Sequence, residues 1–366
     1  MTDLLYSEEE EALRSAVREL LADHCDAADV LARVESDTPY DRSLWKALAQ
    51  DMGLAGLLVP EAQGGQGASH REAAVVLEEL GRAVAPVPYL TSAVVATEAL
   101  LACKGDDAAK LLTELASGRT VAALAVGLSA LPGGPHGLVR QEGGALHGEL
   151  TAVADAAHAD VLLVPAQDGG LYAVPASDTA TVTVTPQISL DLTRPLAKVA
   201  FHGASGHRLT DDAPTAVRRA LRTGAGLLAS EQLGVADWCL TETVRYLKER
   251  KQFNRPVGGF QALKHRLAGL WLEVVNLRAA ARYAADALAT GSEDTDVAVA
   301  VAEAYAAPVA VHAAEEALQL HGGIGMTWEH PAHLYLKRAK ADSIAYGTAG
   351  AHREALAALV GLEPPL

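Results

Sequence analysis

Two stretches of the chain carry side chains suited to an anionic ligand. Glu249-Arg250-Lys251-Gln252-Phe253-Asn254-Arg255-Pro256-Val257-Gly258 follows a helix-patterned run and ends in Pro and Gly. It sets a forked guanidinium (Arg250), an amide (Gln252) and an aromatic ring (Phe253) where a helix stops. A guanidinium grips phosphate oxygens through two parallel hydrogen bonds. Gln319-Leu320-His321-Gly322-Gly323-Ile324-Gly325 is a helix end opening into a glycine loop. Such a loop lets backbone N–H groups approach a pyrophosphate that bulkier residues would hold off. Either motif alone is common, and the pair suggests the phosphate end of a nucleotide.

Proton abstraction would need a carboxylate whose pKa burial has moved towards neutrality. Glu231 lies among Leu227, Leu228 and Leu233, so it is either a buried reactive group or an exposed or structurally paired one. Glu242 and Glu249 flank Arg245 at helical spacing, which reads as a solvated charged face. His321, His330 and His333 lie close together, but their spacing is irregular and no metal is expected. Cys25, Cys103 and Cys239 form no CxxC and no zinc pattern, which suits free thiols in a reducing cytoplasm.

The elements that must position these groups follow from composition and period. A chain of 366 residues is long for one core, so two or three domains are expected. Half the residues are hydrophobic and 4% aromatic, so the core is built mainly of Ala, Leu and Val. A net charge of -16 argues against a nucleic-acid partner, though not against an anionic ligand met by a local Arg cluster. The first residues suggest neither a signal nor a transit peptide, and no transmembrane helix is expected.

Ser7-Glu8-Glu9-Glu10 reads as a capping box. Helices are expected near 69–84, 89–103 and 106–117, with a glycine-rich chain reversal at Glu61–Gly67. Past Gly118 the pattern changes to short alternating runs, with Asp168-Gly169-Gly170 as a hairpin signal. From Pro214 it is helical again, over about 214–249, 260–290, 294–320, 331–345 and 350–360. The expected class is α+β. It comprises an N-terminal helical domain (1–117), a middle β-barrel or sandwich domain (118–212) and a C-terminal four-helix-bundle domain (213–366).

Taken with their flanks, the two motifs resemble the acyl-CoA dehydrogenase family. Arg250-Lys251-Gln252-Phe253 with Pro256-Val257-Gly258, Phe260-Gln261 and Lys264-His265 is similar to one family segment. Gln319, Gly322, Gly323 and Gly325, then Thr327-Trp328-Glu329-His330-Pro331, are similar to a second. Leu57, Pro60, Glu61, Gly64, Gly65 and Gly67 match a first-domain loop. The resemblance implies a helical, then β, then helical fold binding FAD, in a dimer or a dimer of dimers. Arg250, Gln252, Phe253, Gln319, Gly322 and Gly323 would hold the pyrophosphate and adenosine half across the interface, with Thr348 a further contact. The implied reaction removes a proton from the acyl α-carbon and a hydride from the β-carbon of an acyl thioester.

Several positions depart from that pattern. The family's catalytic Glu stands just before a Gly-Thr pair; here Tyr346 precedes Gly347-Thr348. A phenol of pKa about 10 is handicapped as a base by about 4 kcal/mol at neutral pH. The family's alternative location falls on Gly224, leaving Glu231 as the nearest carboxylate. The flavin-ring strand, usually aromatic-Ile-Thr/Ser, reads Ala152-Val153-Ala154, and an upstream Thr-Glu-Pro reads Ala125-Val126-Gly127. Losing the ring stack forfeits about 0.5–1.5 kcal/mol.

The chain thus reads as the flavin-completing, catalytically deficient subunit of a hetero-oligomer with a Glu-bearing paralogue. Two alternatives remain open. One is a self-sufficient homo-oligomeric flavoenzyme with a relocated base or another flavin reaction. The other is a flavin-free structural partner.

Overall fold

A computed structural model describes residues 4–36 and 38–362. The first helix, α1 (Glu8–His24), starts as its capping box requires. Ser7 Oγ accepts from Glu10 N, and Glu10 Oε2 accepts from Ser7 N at 2.6 Å. α2 (Ala27–Val34) is capped by Asp26 and α3 (Arg42–Lys46) by Asp41. α4 (His70–Ala83) has a second Ser–Glu capping box, Ser69 with Glu72. The Glu61–Gly67 segment is the expected chain reversal. A Cβ at Gly65 would lie 2.0 Å from the Val59 carbonyl oxygen, so only glycine fits. A wide-wound turn, Tyr89–Ala96, leads into α5 (Thr97–Leu101), and α6 (Asp106–Ala116) ends the helical segment.

Two four-stranded sheets follow. They use β1 (Ala122–Leu124), β2 (Arg140–Glu142), β3 (Ala145–Ala154), β4 (Val161–Pro165), β5 (Leu171–Pro175), β6 (Val182–Gln187), β7 (Leu196–Ser205) and β8 (His207–Thr210). Their orders are β1-β4-β5-β8 and β2-β3-β7-β6. Asp168-Gly169-Gly170 does turn the β4–β5 hairpin, with Gly169 in the left-handed region and Pro165 opposite Leu171. Leu146, Leu150, Leu162, Val164, Tyr172, Val174 and Phe201 belong to one separate core in this domain.

The rest is helical: α7 (Ala213–Glu249), α8 (Gln261–Thr290), α9 (Thr295–His321), α10 (Ala332–Asp342) and α11 (Ala349–Leu359). The small hairpin of β9 (Lys251–Gln252) and β10 (Arg255–Pro256) separates α7 from α8. α4 and α7 cross at backbone contact. A Cβ at Gly234 would meet the Glu78 carbonyl oxygen at 1.9 Å, and one at Gly81 would meet that of Glu231 at 2.1 Å. α9 contains Pro308, which cannot donate to the carbonyl one turn back. Arg353 Nη2 of α11 donates to that freed carbonyl, Ala304 O, at 3.3 Å. Thr295–Met326 has the length and apolar composition of a spanning helix, as a buried core helix also can. In the fold its alanine-rich face, including Ala302, Ala306, Ala310 and Ala313, is buried against neighbouring helices.

Candidate functional site

α7 ends at Arg250, whose backbone N–H still closes onto Tyr246 O at 2.8 Å. The chain then makes a two-residue hairpin, with Gln252 opposite Arg255. Its two turn residues, Phe253 and Asn254, both have positive φ, at 49° and 62°. That is the geometry of a tight primed turn, which favours Asn or Gly. A phenylalanine there is strained, and such strain concentrates at functional sites. The strain is spent on display: Phe253 is 86% exposed. Behind it, Phe260 meets Phe253 edge-on at 6.3 Å, and the Arg255 guanidinium lies over the Phe260 ring at 3.9 Å. Sequence reading assigned no hairpin here, because Phe-Asn is not a recognised turn dipeptide.

The fold brings the glycine loop to the same place. Tyr246, one turn before Arg250, stacks on His321 with ring centroids 4.5 Å apart, and Gly322 follows directly. Gly322 has φ 63°, and a Cβ on Gly322 or Gly323 would touch nothing within 4 Å. The loop is therefore open, not packed. Gln319, Gly322, Gly323, Arg250 and Gln252 are all exposed. Within and just after the glycine loop, Ile324, Met326 and Trp328 are exposed, as are Trp271 (55%) and Leu272 on α8. Thr348 is elsewhere, at the start of α11, where its hydroxyl caps the helix by accepting from Ala351 N at 3.2 Å. His321 stacks between Tyr246 and His330, whereas His333 stacks on Trp328. Among the described residues no cluster of three or more potential metal ligands forms.

The two positions at which a base could be sought lie against each other. A Cβ built on Gly224 would fall 3.2 Å from Cε2 of Tyr346 and 2.8 Å from Val95 Cγ2. The Tyr346 ring thus fills the space a side chain at 224 would need. Tyr346 is buried and its N–H donates to Leu128 O at 2.7 Å. Burial raises its phenol far above the usual value, which removes it further from service as a base. The cavity bounded by Thr91, Val95, Val126, Ala154, Leu221 and Tyr346 holds only about 20 Å³.

The strand ends beside it close on each other. Gly127 bridges Val153, and Leu128 N donates to Ala152 O at 2.8 Å. Ala152 sits at a β-bulge with φ 55°, and its N–H donates to Gln187 Oε1 at 2.8 Å. On the far side of Tyr346, a cavity of about 330 Å³ is lined by Leu131, Arg218, Arg222, Asp296 and His352. Asp296 bridges Arg218 (2.9 Å) and Arg222 (3.2 Å).

Glu231 is buried, not exposed, and it is structurally paired. Arg194 Nη2 donates to both its oxygens, at 2.7 and 2.6 Å, and Arg338 Nη1 donates to Oε1 at 2.5 Å. Arg194 also holds Asp342 at 2.7 Å, and Arg338 holds Asp191 at 2.7 Å and Thr193 Oγ1 at 2.5 Å. Burial alone would raise the Glu231 pKa, but the two guanidiniums outweigh it and hold the carboxyl below its ordinary value. A carboxylate so held is a poor acceptor for a carbon-bound proton. Nothing in the sequence pointed to this cluster, because Asp191 and Arg194 come from a loop far from α7 and α10.

With the geometry in hand, the chain can be compared with known proteins. The N-terminal domain of acyl-CoA dehydrogenases matches residues 7–119, and their C-terminal domain matches residues 215–361. The chain is 38% identical over 332 residues, 91% of each protein, to acyl-CoA dehydrogenase IpdE2 of Mycobacterium tuberculosis. It resembles the structure of the Tcur3481-Tcur3483 steroid ACAD with 31% identity and a TM-score of 0.86, over 97% of this chain and 98% of that one. It also resembles the ChsE4-ChsE5 complex from Mycobacterium tuberculosis, with 28% identity and a TM-score of 0.87 over 100% of each chain. The chain belongs to the acyl-CoA dehydrogenase family, whose members are FAD-dependent oxidoreductases.

The chain's own residues suit FAD unequally at its two ends. The open Gly322-Gly323 loop and exposed Arg250 fit a pyrophosphate presented from outside. At the other end, the cavity beside Tyr346 and the Gly127–Val153 bridge holds about 20 Å³, and the expected ring-contact positions Ala152, Val153 and Ala154 offer neither an aromatic ring nor a hydroxyl.

Proposed function

We propose that this chain is the flavin-completing, catalytically deficient subunit of a hetero-oligomeric acyl-CoA dehydrogenase. A related chain would supply the carboxylate base and the ring contacts. Arg250, Gln252, Phe253, Gln319, Gly322 and Gly323 would hold the phosphate and adenosine end of that chain's FAD. FAD, when bound, supplies the hydride acceptor for α,β-desaturation of the acyl thioester. This chain's residues orient the cofactor and shield it from water. The observation that carries the reading is the contrast between a displayed hairpin with an open glycine loop and ring-contact positions that offer neither an aromatic ring nor a hydroxyl.

The exposed Ile324 and Met326, next to each other in the glycine-loop segment, support a covering partner, since exposed apolar surface marks interaction sites. The two-chain structures it resembles, one of them a steroid ACAD, favour a related partner and a bulky, steroid-like acyl group. The three unpaired cysteines are compatible with a cytoplasmic site of action.

The test is flavin stoichiometry with native mass, for the chain alone and co-expressed with a Glu-bearing paralogue. FAD and acyl-CoA oxidation acquired only on co-expression are expected. One FAD per chain, with oxidation by the isolated homo-oligomer, would overturn the reading.

A further inference from the structure

The buried cluster around Glu231 contains more acids than cations. Among the described residues its guanidiniums are Arg194 from the β6–β7 loop and Arg338 from α10. Facing them are Asp191 from the same loop, Glu231 from α7 and Asp342 from α10. Asp155, beyond β3, lies near both guanidiniums and accepts from Thr91 Oγ1 at 2.6 Å. The Tyr346 phenol also faces Arg194. Each of these four carboxyls is almost fully buried. If all were ionised, the site would keep an uncompensated negative charge away from water, which proteins avoid by neutralising a group.

The unpaired atoms show where protons belong. Asp342 Oδ1 receives Arg194, but Oδ2 meets no donor. Glu303, from α9, is 0% exposed, and neither of its oxygens meets a donor at hydrogen-bonding geometry. The groups facing Glu303 are Asp342 and the amide of Gln232 on α7. Gln232 Oε1 is itself unsatisfied, while its Nε2 donates to the Asp342 backbone carbonyl at 3.4 Å. Four acceptor oxygens (Asp342 Oδ2, both of Glu303 and Gln232 Oε1) thus gather around one amide NH2, that of Gln232, an arrangement that carboxylic O–H groups satisfy better than carboxylates do.

We propose that Glu303 and Asp342 are a protonation-controlled latch, neutral in the closed fold, whose ionisation loosens the seam joining α7, α9 and α10 to the Asp191–Arg194 loop. The proposal is independent of oligomeric state and of flavin. Burial and then the Glu231 charge push Asp342 up to about 8, and burial and then Asp342 push Glu303 well above the ordinary carboxylate range. The sign follows. A carboxyl with a raised folded pKa favours the fold fully below its unfolded pKa. It loses that contribution as pH rises towards the folded value. Each such proton costs up to tenfold in the folding equilibrium per pH unit across that window. For Asp342 the window runs from about 4 to about 8.

The test uses the full chain in the oligomer in which it is isolated. Its Tm is followed from pH 5 to 9 beside Glu303→Gln and Asp342→Asn. A Tm that falls towards alkaline pH is expected for the unsubstituted protein. The fall should be shallower in each variant, with Glu303→Gln at least as stable at pH 8.5. Infrared spectra supply an independent readout: the carbonyl stretch of a buried protonated acid at neutral pH, diminished in Glu303→Gln. A pH profile that Glu303→Gln leaves unchanged, or no protonated-acid band in the unsubstituted protein, would overturn the latch.

Discussion

Removing Glu231 separates a structural role from a catalytic one. Truncating one partner of a buried ion pair costs about 3–5 kcal/mol, because the other charge stays buried and unpaired. Here two guanidiniums would lose it, yet each keeps another carboxylate: Arg194 keeps Asp342, and Arg338 keeps Asp191. Glu231 also helps to hold the proton on Asp342, so its removal lets Asp342 ionise and offset part of the loss. We therefore expect Glu231→Leu to cost about 2–4 kcal/mol, towards the lower part of the range for broken buried pairs.

Glu231→Gln should fare little better. Its amide NH2 would have to face a guanidinium donor where Oε2 now accepts at 2.6 Å. At about 2.1 cal/mol/K of unfolding entropy per residue, 366 residues give about 0.8 kcal/mol per degree. The expected Tm decrease is then about 3–5 °C if the chain unfolds as one unit, and larger if the C-terminal helices melt separately. Thermal unfolding followed by circular dichroism measures it, with flavin content and acyl-CoA oxidation of the two-chain complex alongside. A variant that keeps its Tm and flavin but loses oxidation would refute the argument and make Glu231 the base. An unchanged Tm with unchanged activity would show that the cluster does not stabilise the fold.

Further outcomes follow from the same geometry. Gly323→Leu should leave the chain's own Tm within about 1 °C, since its Cβ meets no atom of the chain, while lowering the flavin content of the two-chain complex. Arg250→Gln should weaken FAD retention in that complex about tenfold or more, as loss of a charge-assisted phosphate contact would, with native mass unchanged on a sizing column. Gly234→Ala sets a methyl 1.9 Å from the Glu78 carbonyl oxygen and should drive α4 from α7, costing about 3 kcal/mol or more and lowering soluble yield. Tyr346→Ala should open a cavity at the cost of about 3–5 kcal/mol, whereas Tyr346→Phe should leave acyl-CoA oxidation by the complex unchanged.

Local chemistry made much of the fold legible in the sequence. The Ser7 cap, the apolar period of α7 to α9 and the Asp168-Gly169-Gly170 turn act within a few residues of themselves. Their structural outcome is therefore written nearly contiguously. The phosphate-side motifs were legible for the same reason, since Arg250 and Gly322 sit at helix ends that periodicity locates. Their meeting was not: it depends on Tyr246 stacking on His321 across two helices. The hairpin at Phe253-Asn254 escaped because a strained turn breaks the residue preferences by which turns are recognised.

The partnering of Glu231 was the largest matter left to tertiary structure. Leucine neighbours implied burial, and burial alone implies a raised pKa. Only the fold brings Arg194 and Arg338 from distant segments to reverse that sign. The same holds for Gly224 and Tyr346, two absences in the sequence that become one filled space when α7 and the chain after α10 are packed together. The sequence determined its elements and the chemistry at their ends. Which buried charges are compensated was decided by contacts between distant residues, Glu231 with Arg194 at 37 positions and with Arg338 at 107, which no local pattern encodes.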